Sequence, residues 1–342
     1  MRDLWRRPGR IGYLGASVTA QREGYVTAFH SRLRRETGQD HTAIVAAVGG
    51  VGSISGVFLM DDLLEGRTPD LCFVEFTTTD LAGYTPLSRV GAAVEGIARK
   101  LIRRGVQPVF LHLPRIDMGE KRQPVREAYN RVASHYGIPV VDIDAHWRKD
   151  AKGDGLATRL RDAVHLTDEG ARDCAEHLLE GLRIIAAGPG VEAAAGDRPA
   201  LHHDAFDSTA LIPAQPSMLE APKRATSRVF RLNYPVLDVE TMNPLRFQDE
   251  RGITGALVVV GPRTGIVEAR TRLGLSRHLL FDQYCHYERL NTVIFAPDQN
   301  EPREVEITLT LDPVDTSVCG RPLVPTAPSE RRLSIIALMV RR

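Results

Sequence analysis

The sequence has few cysteines, and no two of them are close together. Cys72, Cys174, Cys285 and Cys319 form no C-x-x-C pair, so the spacing of structural zinc sites and of thioredoxin-like redox motifs is absent. Cys72 lies within an apolar run and is expected to be a small core residue. We therefore expect no metal and reduced thiols, which are typical of a cytoplasmic protein.

The sequence also lacks an excess of charge of one sign and any long apolar run. Its 342 residues carry a formal net charge of +1, so no global field attracts nucleic acid or an anionic membrane. No apolar stretch approaches the roughly 20 residues that span a bilayer. The opening residues MRDLWRRPGR contain no apolar core of a secretory signal. We therefore expect no nucleic-acid partner, no membrane span and a cytoplasmic location.

The length suggests two domains, and residues 1–187 have the pattern of the first. Short apolar runs alternate there with amphipathic stretches. Strands are predicted at 10–15, 43–48, 71–76, 108–113 and 138–143, and helices at 24–37, 54–64, 87–104, 125–136 and 167–187. Near-continuous apolar strands that alternate with helices indicate a parallel sheet covered on both faces. The predicted fold is a three-layer, doubly wound α/β domain with about five strands.

The pattern changes after residue 187. Residues 188–224 are rich in glycine, alanine and proline and are predicted to be a linker. From 225 to 342 the helical period disappears. Short β-type runs replace it at 227–232, 255–260, 265–270, 278–281, 292–295, 305–311 and 333–340. Many short strands predict a mostly β accessory domain, a sandwich or a jelly roll.

Polar and glycine-rich stretches lie where the predicted strands end. Ser17, residues 49–52 and residues 77–80 follow the first three strands, and residues 162–165 precede the last helix. Ligands of doubly wound sheets bind at the carboxyl ends of the strands, so we expect these stretches to converge. They would supply a hydroxyl nucleophile, an imidazole, a carboxylate and backbone donors. Acyl transfer requires these groups.

The stretches resemble, in order and rough spacing, the four motif blocks of the SGNH (GDSL-type) hydrolases. GASVT (15–19) stands where that family carries GDSxT, and AAVGGVGS (46–53) is similar to its second block. PDLCFVEFTTTD (69–80) resembles the third block, which typically ends in GxND, and DAVHLTDEGAR (162–172) resembles the DxxH block. The resemblance covers about residues 10–187. It implies a flavodoxin-like α/β fold and esterase activity. The VEF in the third block also resembles a branch associated with cell-surface carbohydrate modification.

The resemblance implies a role for each matching residue. Ser17 is the nucleophile, His165 the general base and then the general acid, and Asp162 the carboxylate that fixes the histidine tautomer. The backbone N–H groups of Ser17 and Gly50 donate to the oxyanion. Thr79 stands where the family has an asparagine amide as the third donor.

Two positions depart from the family pattern. Ala16 replaces the aspartate of GDS, which is not a triad member, so the change affects local packing more than chemistry. Thr79 is more serious, because a hydroxyl is shorter than an amide and the loss of one oxyanion donor costs about 10²–10³ in rate. Asp80 is a further candidate for this oxyanion or substrate-binding group and is expected to cap or orient the loop.

Simpler structural interpretations remain for the same residues. Taken alone, Ser17 is typical of a helix cap. Ser53 and Ser55 are rival hydroxyls, but neither lies in a G-x-S-x-G elbow, and both are expected to cap the following helix. The glycines at 49–52 lack the full G-x-G-x-x-G spacing of a dinucleotide-binding loop.

The sequence therefore predicts a serine acyl-ester hydrolase that removes a short acyl group, acetyl, from a saccharide. No metal or organic cofactor is implied. Two alternatives stay open: a saccharide O-acetyltransferase with the same triad, and a catalytically weak protein that binds glycan through its β domain. The β domain has a further alternative role as the interface of a homo-oligomer.

Overall fold

Five apolar runs in the first half of the chain form one parallel sheet. In this computed structural model they are β1 (Arg10–Gly15), β2 (Thr42–Ala47), β3 (Leu71–Glu75), β4 (Gln107–His112) and β5 (Val140–Asp142). They lie in the order β2-β1-β3-β4-β5, and every neighbouring pair is parallel. This strand order is the flavodoxin-like form of the doubly wound sheet, with the reversal at β1 and β3. The fold class predicted for this region is confirmed.

The structure describes nine stretches of the chain, which it divides into two units. The described residues are 5–117, 122–150, 155–188, 190–214, 224–229, 232–240, 242–295, 302–324 and 326–341. The first unit ends at Asp207 and the second begins at Ser208.

The helices of the first unit cover both faces of its sheet. They are α1 (Tyr25–Thr37), α2 (Ser53–Leu64), α3 (Thr77–Leu81), α4 (Leu87–Arg103), α5 (Arg122–Tyr136), α6 (Ile143–Asp150) and α7 (Asp168–Ala187). Helices α1 and α7 pack together, and α4 packs against α2 and α5. The apolar residues of α1 are buried at helical spacing, and α1 ends at Gly38, whose φ of 67° suits a glycine. The short helices α3 and α6 were not predicted, because each begins within two residues of a strand end.

The division between the units falls inside the predicted linker, 188–224. Residues 190–207 belong to the first unit and pack on α4. The buried carboxylate of Glu95 accepts hydrogen bonds from the backbone N–H groups of Leu201 and His202, at 2.6 and 2.7 Å. The composition of this stretch suggested a linker because its glycine and alanine residues show no helix or strand period. Its packing on α4 does not require such a period. Residues 215–223 lie outside the described stretches.

In the part that the structure describes, the second unit contains two antiparallel sheets. Its strands are β6 (Thr209–Pro213), β7 (Arg224–Val229), β8 (Leu232–Glu240), β9 (Leu245–Gln248), β10 (Ile253–Val260), β11 (Ile266–Thr271), β12 (Gly274–Leu279), β13 (Arg289–Ile294), β14 (Glu304–Leu309) and β15 (Arg332–Arg341). One sheet has the order β13-β10-β15-β8-β7 with β6 also paired to β15, and the other has the order β12-β11-β14-β9. Both contribute to one hydrophobic cluster. The mostly β class is confirmed; the sandwich or jelly-roll arrangement stays a prediction.

Candidate active site

Ser17 lies in the loop that follows β1, residues 16–20, which we call the nucleophile loop. The loop turns tightly, with the Ala20 N–H donating to the Ala16 carbonyl at 3.0 Å. Gly15 makes this turn possible, since a Cβ at that position would lie 2.3 Å from the Thr19 hydroxyl. That approach is too close for any side chain, so the glycine is required by space rather than by its φ angle. The turn places Ser17 at the carboxyl edge of the sheet.

His165 and Asp162 lie in the segment before α7, residues 161–167, which we call the histidine loop. The Arg161 N–H donates to the His165 carbonyl at 2.9 Å, which closes the loop. Thr167 caps α7 by accepting from the Gly170 N–H at 3.1 Å. The loop is therefore held by backbone bonds on one side and by a helix cap on the other.

Ser17, His165 and Asp162 form one continuous chain of hydrogen bonds. The Ser17 Oγ lies 3.0 Å from His165 Nε2. The other ring nitrogen, Nδ1, lies 2.8 Å from Oδ2 and 3.0 Å from Oδ1 of Asp162. Residues 145 or more positions apart in the sequence thus meet at the predicted edge.

Asp162 is held in its ionised form by its own loop. Partial burial raises the pKa of this carboxyl, but hydrogen bonds from the backbone N–H groups of His165 and Val164 outweigh it, and the pKa falls below its usual range. The two N–H groups lie 2.8 and 3.0 Å from Oδ1. The Asp162 side chain is 50% exposed and the His165 side chain 24%. Solvent therefore reaches Asp162, the acidic end of this chain of hydrogen bonds.

Gln21, which sequence reasoning missed, connects the nucleophile loop to the histidine loop. Its amide nitrogen donates to the Leu166 carbonyl at 3.0 Å, and its amide oxygen accepts from the Leu166 N–H at 3.3 Å. Leu166 directly follows His165, so these bonds fix the backbone next to the imidazole. Only its position four residues after Ser17 marks Gln21 in the sequence.

The predicted oxyanion residues are less clearly arranged. Gly50 has a φ of 74°, a left-handed conformation that turns the chain between β2 and α2. Thr79 lies in α3 and is 6% exposed. Its hydroxyl donates to the Phe76 carbonyl at 3.0 Å, three residues back in its own chain. The hydroxyl that replaces the family's amide is therefore engaged by its own backbone.

Asp80 is a buried anchor. It accepts hydrogen bonds from the Ser53 N–H at 2.9 Å, the Thr85 hydroxyl at 2.6 Å and the Tyr129 hydroxyl at 2.7 Å. The predicted capping by Ser53 and Ser55 is wrong, because the N-cap position of α2 is occupied by Gly52. Glycine has no side chain to accept a hydrogen bond there. Asp80 reaches across from α3 to supply the acceptor. Its role in oxyanion or substrate binding stays a prediction.

The described residues contain no group of three or more His, Cys, Asp or Glu side chains arranged to hold a metal ion. The four cysteines are unpaired. Cys72 is fully buried, and this burial raises the pKa of its thiol to about 12. Within the same part of the chain, no helix is both long and apolar enough to cross a membrane.

A serine hydroxyl bonded to an imidazole that is bonded in turn to a carboxylate is typical of hydrolases that form an acyl-enzyme. Here the three groups lie at the carboxyl edge of a flavodoxin-like sheet. The class of protein that this fold and this arrangement indicate is therefore an acyl hydrolase.

Residues 13–172 match the model of the GDSL-like lipase/acylhydrolase family. This match lies within the first unit, which is similar to this family, the SGNH hydrolases, and the protein is a carboxylic ester hydrolase. The predicted resemblance is confirmed. No curated protein sequence matches the chain significantly.

Solved structures extend the likeness to both units. A two-domain esterase described as active on acetylated mannans is 15% identical, with a TM-score of 0.73 over 98% of this chain and 91% of that one. The same esterase crystallised with mannopentaose is 15% identical, with a TM-score of 0.70 and the same coverage. An acetyl xylan esterase, AlAXEase, is 21% identical and covers 51% of this chain and 98% of its own, with a TM-score of 0.41. At these identities the likeness concerns the fold.

Proposed function

We propose that this esterase removes acetyl groups from an acetylated saccharide and that Ser17, His165 and Asp162 are its catalytic triad. The observation that carries the proposal is the unbroken contact from the Ser17 hydroxyl through both nitrogens of His165 to the Asp162 carboxylate. Each contact has the length of a hydrogen bond.

The geometry supports a two-step acyl transfer. His165 Nε2 accepts the proton as the Ser17 Oγ attacks the ester carbonyl, and the imidazolium then protonates the departing sugar oxygen. Water attacks the acyl-enzyme in the second step, with His165 again accepting the proton. Asp162 keeps Nδ1 protonated throughout, so that Nε2 is the free acceptor.

The oxyanion is the weaker part of the proposed site. In this proposal the backbone N–H groups of Ser17 and Gly50 donate to it. Thr79 does not, since its hydroxyl is bonded to Phe76. The lack of one donor is worth about 10²–10³ in rate. We therefore expect a slower turnover than a three-donor site of the same family gives.

The saccharide part of the proposal rests on the similar two-domain structure, whose esterase is described as active on acetylated mannans. The proposed acetyl group and saccharide are inferred from that description and from the VEF of the third block. Acetylated mannan is consequently the first polymer to test, with acetylated xylan as the second.

The test compares Ser17→Ala with the intact protein on p-nitrophenyl acetate and on acetylated mannan, with released acetate as the measurement. We expect a loss of about 10³-fold or more on both. Ser31→Ala, an exposed serine of α1 bonded only to its own helix, is the matched control and should retain full activity. Equal rates for Ser17→Ala and the intact protein would remove Ser17 from the mechanism.

A catalytically weak glycan-binding protein is the second candidate, and the engaged hydroxyl of Thr79 is the observation that favours it. The two candidates differ on one measurement. A binding protein retains acetylated mannan with unchanged affinity in Ser17→Ala and releases no acetate in either form. The esterase releases acetate only while Ser17 is present.

A further inference from the structure

Glu75, the last residue of β3, is a carboxyl group buried directly beside the nucleophile strand. It is 0% exposed. In the parallel pairing of β1 and β3 it lies opposite Gly15, two residues before Ser17. The proposed mechanism assigns it no role.

The two oxygens of Glu75 have unequal surroundings. Oε1 accepts from the N–H and the hydroxyl of Thr78, at 3.1 and 2.8 Å. Among the described residues, Oε2 has no hydrogen-bond partner. Asp80, five residues on, shows the contrast, because three donors reach its two oxygens. A buried carboxylate oxygen without a donor is costly, whereas a neutral acid is less so.

Among the described residues, the titratable groups that the structure shows acting on Glu75 include no cation. These groups, each from a different packed element, are Tyr25 on α1, Asp80 on α3, Tyr129 on α5 and Cys174 on α7. All are acidic or neutral. Burial raises the pKa of Glu75 to about 7, although the bonds from Thr78 act in the opposite direction. The carboxyl therefore changes charge within the pH range in which an esterase works.

Thr19 connects this carboxyl to the nucleophile loop. Its hydroxyl packs over Gly15, within 2.3 Å of where a Cβ would lie, and is 3.0 Å from the Tyr25 hydroxyl. The same hydroxyl acts on Glu75 and lowers its pKa, so it stabilises the ionised form. The Thr19 hydroxyl therefore links Tyr25 and the Glu75 carboxyl to the nucleophile loop.

We propose that Glu75 is a positioning residue for Ser17: as the neutral acid it leaves the nucleophile loop in its productive turn, and its ionisation sets an alkaline limit to activity. The proposal rests on the proposed role of Ser17. Ionisation releases one proton from Oε2 to solvent and leaves a buried negative charge. The Thr19 hydroxyl then donates to that charge and alters the turn of the nucleophile loop, and the charge opposes the oxyanion that forms nearby.

The experiment measures kcat/KM against pH for the intact protein and for Glu75→Gln, with p-nitrophenyl acetate and correction for spontaneous hydrolysis. Glutamine has the shape of the neutral acid and cannot ionise. The ratio of Glu75→Gln to the intact protein should be near one at about pH 6 and should rise at least tenfold by about pH 9. A ratio that stays constant over this range overturns the proposal, whatever its size.

Glu95→Gln is the matched control, since Glu95 is another fully buried glutamate of the same unit. It is bonded to His202 rather than placed near Ser17, and its pH profile should keep the shape of the intact protein's. Thr19→Val is the second variant. It removes the hydroxyl that favours the ionised carboxyl, so the alkaline limit should move to higher pH. An unmoved limit would overturn the link through Thr19.

Thermal unfolding separates a failure of this inference from a failure of the proposed function. The folded-state pKa of Glu75 is raised from 4.5 to about 7. The native state therefore holds the proton more tightly than the unfolded chain, and the stability this contributes is lost as pH rises from about 4.5 to about 7. The Tm of the intact protein should fall by roughly a few degrees relative to Glu75→Gln across that range. This readout does not involve Ser17, so an active Ser17→Ala would refute the mechanism and leave the titration of Glu75 standing.

Discussion

The two sides of the candidate site differ in how completely they are assembled. On the proton-transfer side, Ser17, His165 and Asp162 are in hydrogen-bond contact throughout. On the oxyanion side, Gly50 has the turn conformation expected of it, whereas the Thr79 hydroxyl is bonded to the backbone of its own helix. In the proposed mechanism, the hydrogen-bond chain that would move a proton is complete, and the group that would stabilise negative charge is incomplete.

The difference follows from how each side is held in place. The histidine loop is fixed by a backbone bond and by the α7 cap. Neither involves the side chains of Asp162 and His165. Thr79 lies in a five-residue helix, and a threonine there bonds readily to a carbonyl three or four residues back. Proton transfer and oxyanion binding can therefore be altered separately in this site.

Of the variants that distinguish the two sides of the site, Asp162→Asn is expected to lower activity most. The asparagine can still accept from the backbone N–H groups of the loop, but it presents an N–H to His165 Nδ1. The imidazole then takes the tautomer whose Nε2 carries hydrogen and cannot accept the proton of Ser17. We expect kcat to fall by about 10²–10⁴, with KM little changed.

Asp249→Asn provides the control for Asp162→Asn. Asp249 lies in the second unit, and its pKa is likewise below its usual range, here because of Arg251. It should show unchanged kinetics on p-nitrophenyl acetate. A loss of less than about threefold in Asp162→Asn would mean that the solvent-exposed carboxylate does not control the tautomer.

The proton-transfer side could be predicted from the sequence because Ser17 follows a strand end and the order of the motif blocks supplies the other two residues. The apolar run before Ser17 defines a buried strand, and carboxyl ends of parallel strands meet at one edge. The order of the motif blocks then associates Asp162 and His165 with that edge. These inferences do not depend on where a side chain points, and a sequence does not determine that direction.

Several contacts that the sequence could not predict cross between distant elements. Gln21 meets Leu166 from 145 positions away, and Asp80 meets Tyr129 from 49 positions away. In the second unit, β6, β8 and β9 were missed for a related reason. β6 lies in a stretch whose composition resembles a linker, and its place in the sheet comes from pairing with β15. Pairing of this kind depends on the partner rather than on the local period.

A smaller effect is expected from Gln21→Ala, which tests whether the two loops must be joined. The change leaves the N–H and carbonyl of Leu166 without their partner, so the imidazole is held less closely to Ser17. We expect kcat to fall by roughly tenfold, because small displacements of a catalytic group are costly. Gln123→Ala, an exposed glutamine of α5 bonded to Glu127, is the control. An unchanged kcat for Gln21→Ala would mean that the backbone bonds of the histidine loop are sufficient.

The smallest effects are expected at Thr79, where the two sides of the site can be separated most sharply. Thr79→Val keeps the shape and removes the hydroxyl. If that hydroxyl serves only the Phe76 carbonyl, kcat/KM should change by less than about threefold, whereas loss of a true oxyanion donor would cost about 10²–10³. Thr79→Asn supplies the family's amide and should raise kcat/KM by roughly threefold to tenfold. The gain stays below the full worth of a donor, because α3 was not shaped around an amide. A large loss in Thr79→Val would reverse the comparison and show that the threonine itself binds the oxyanion.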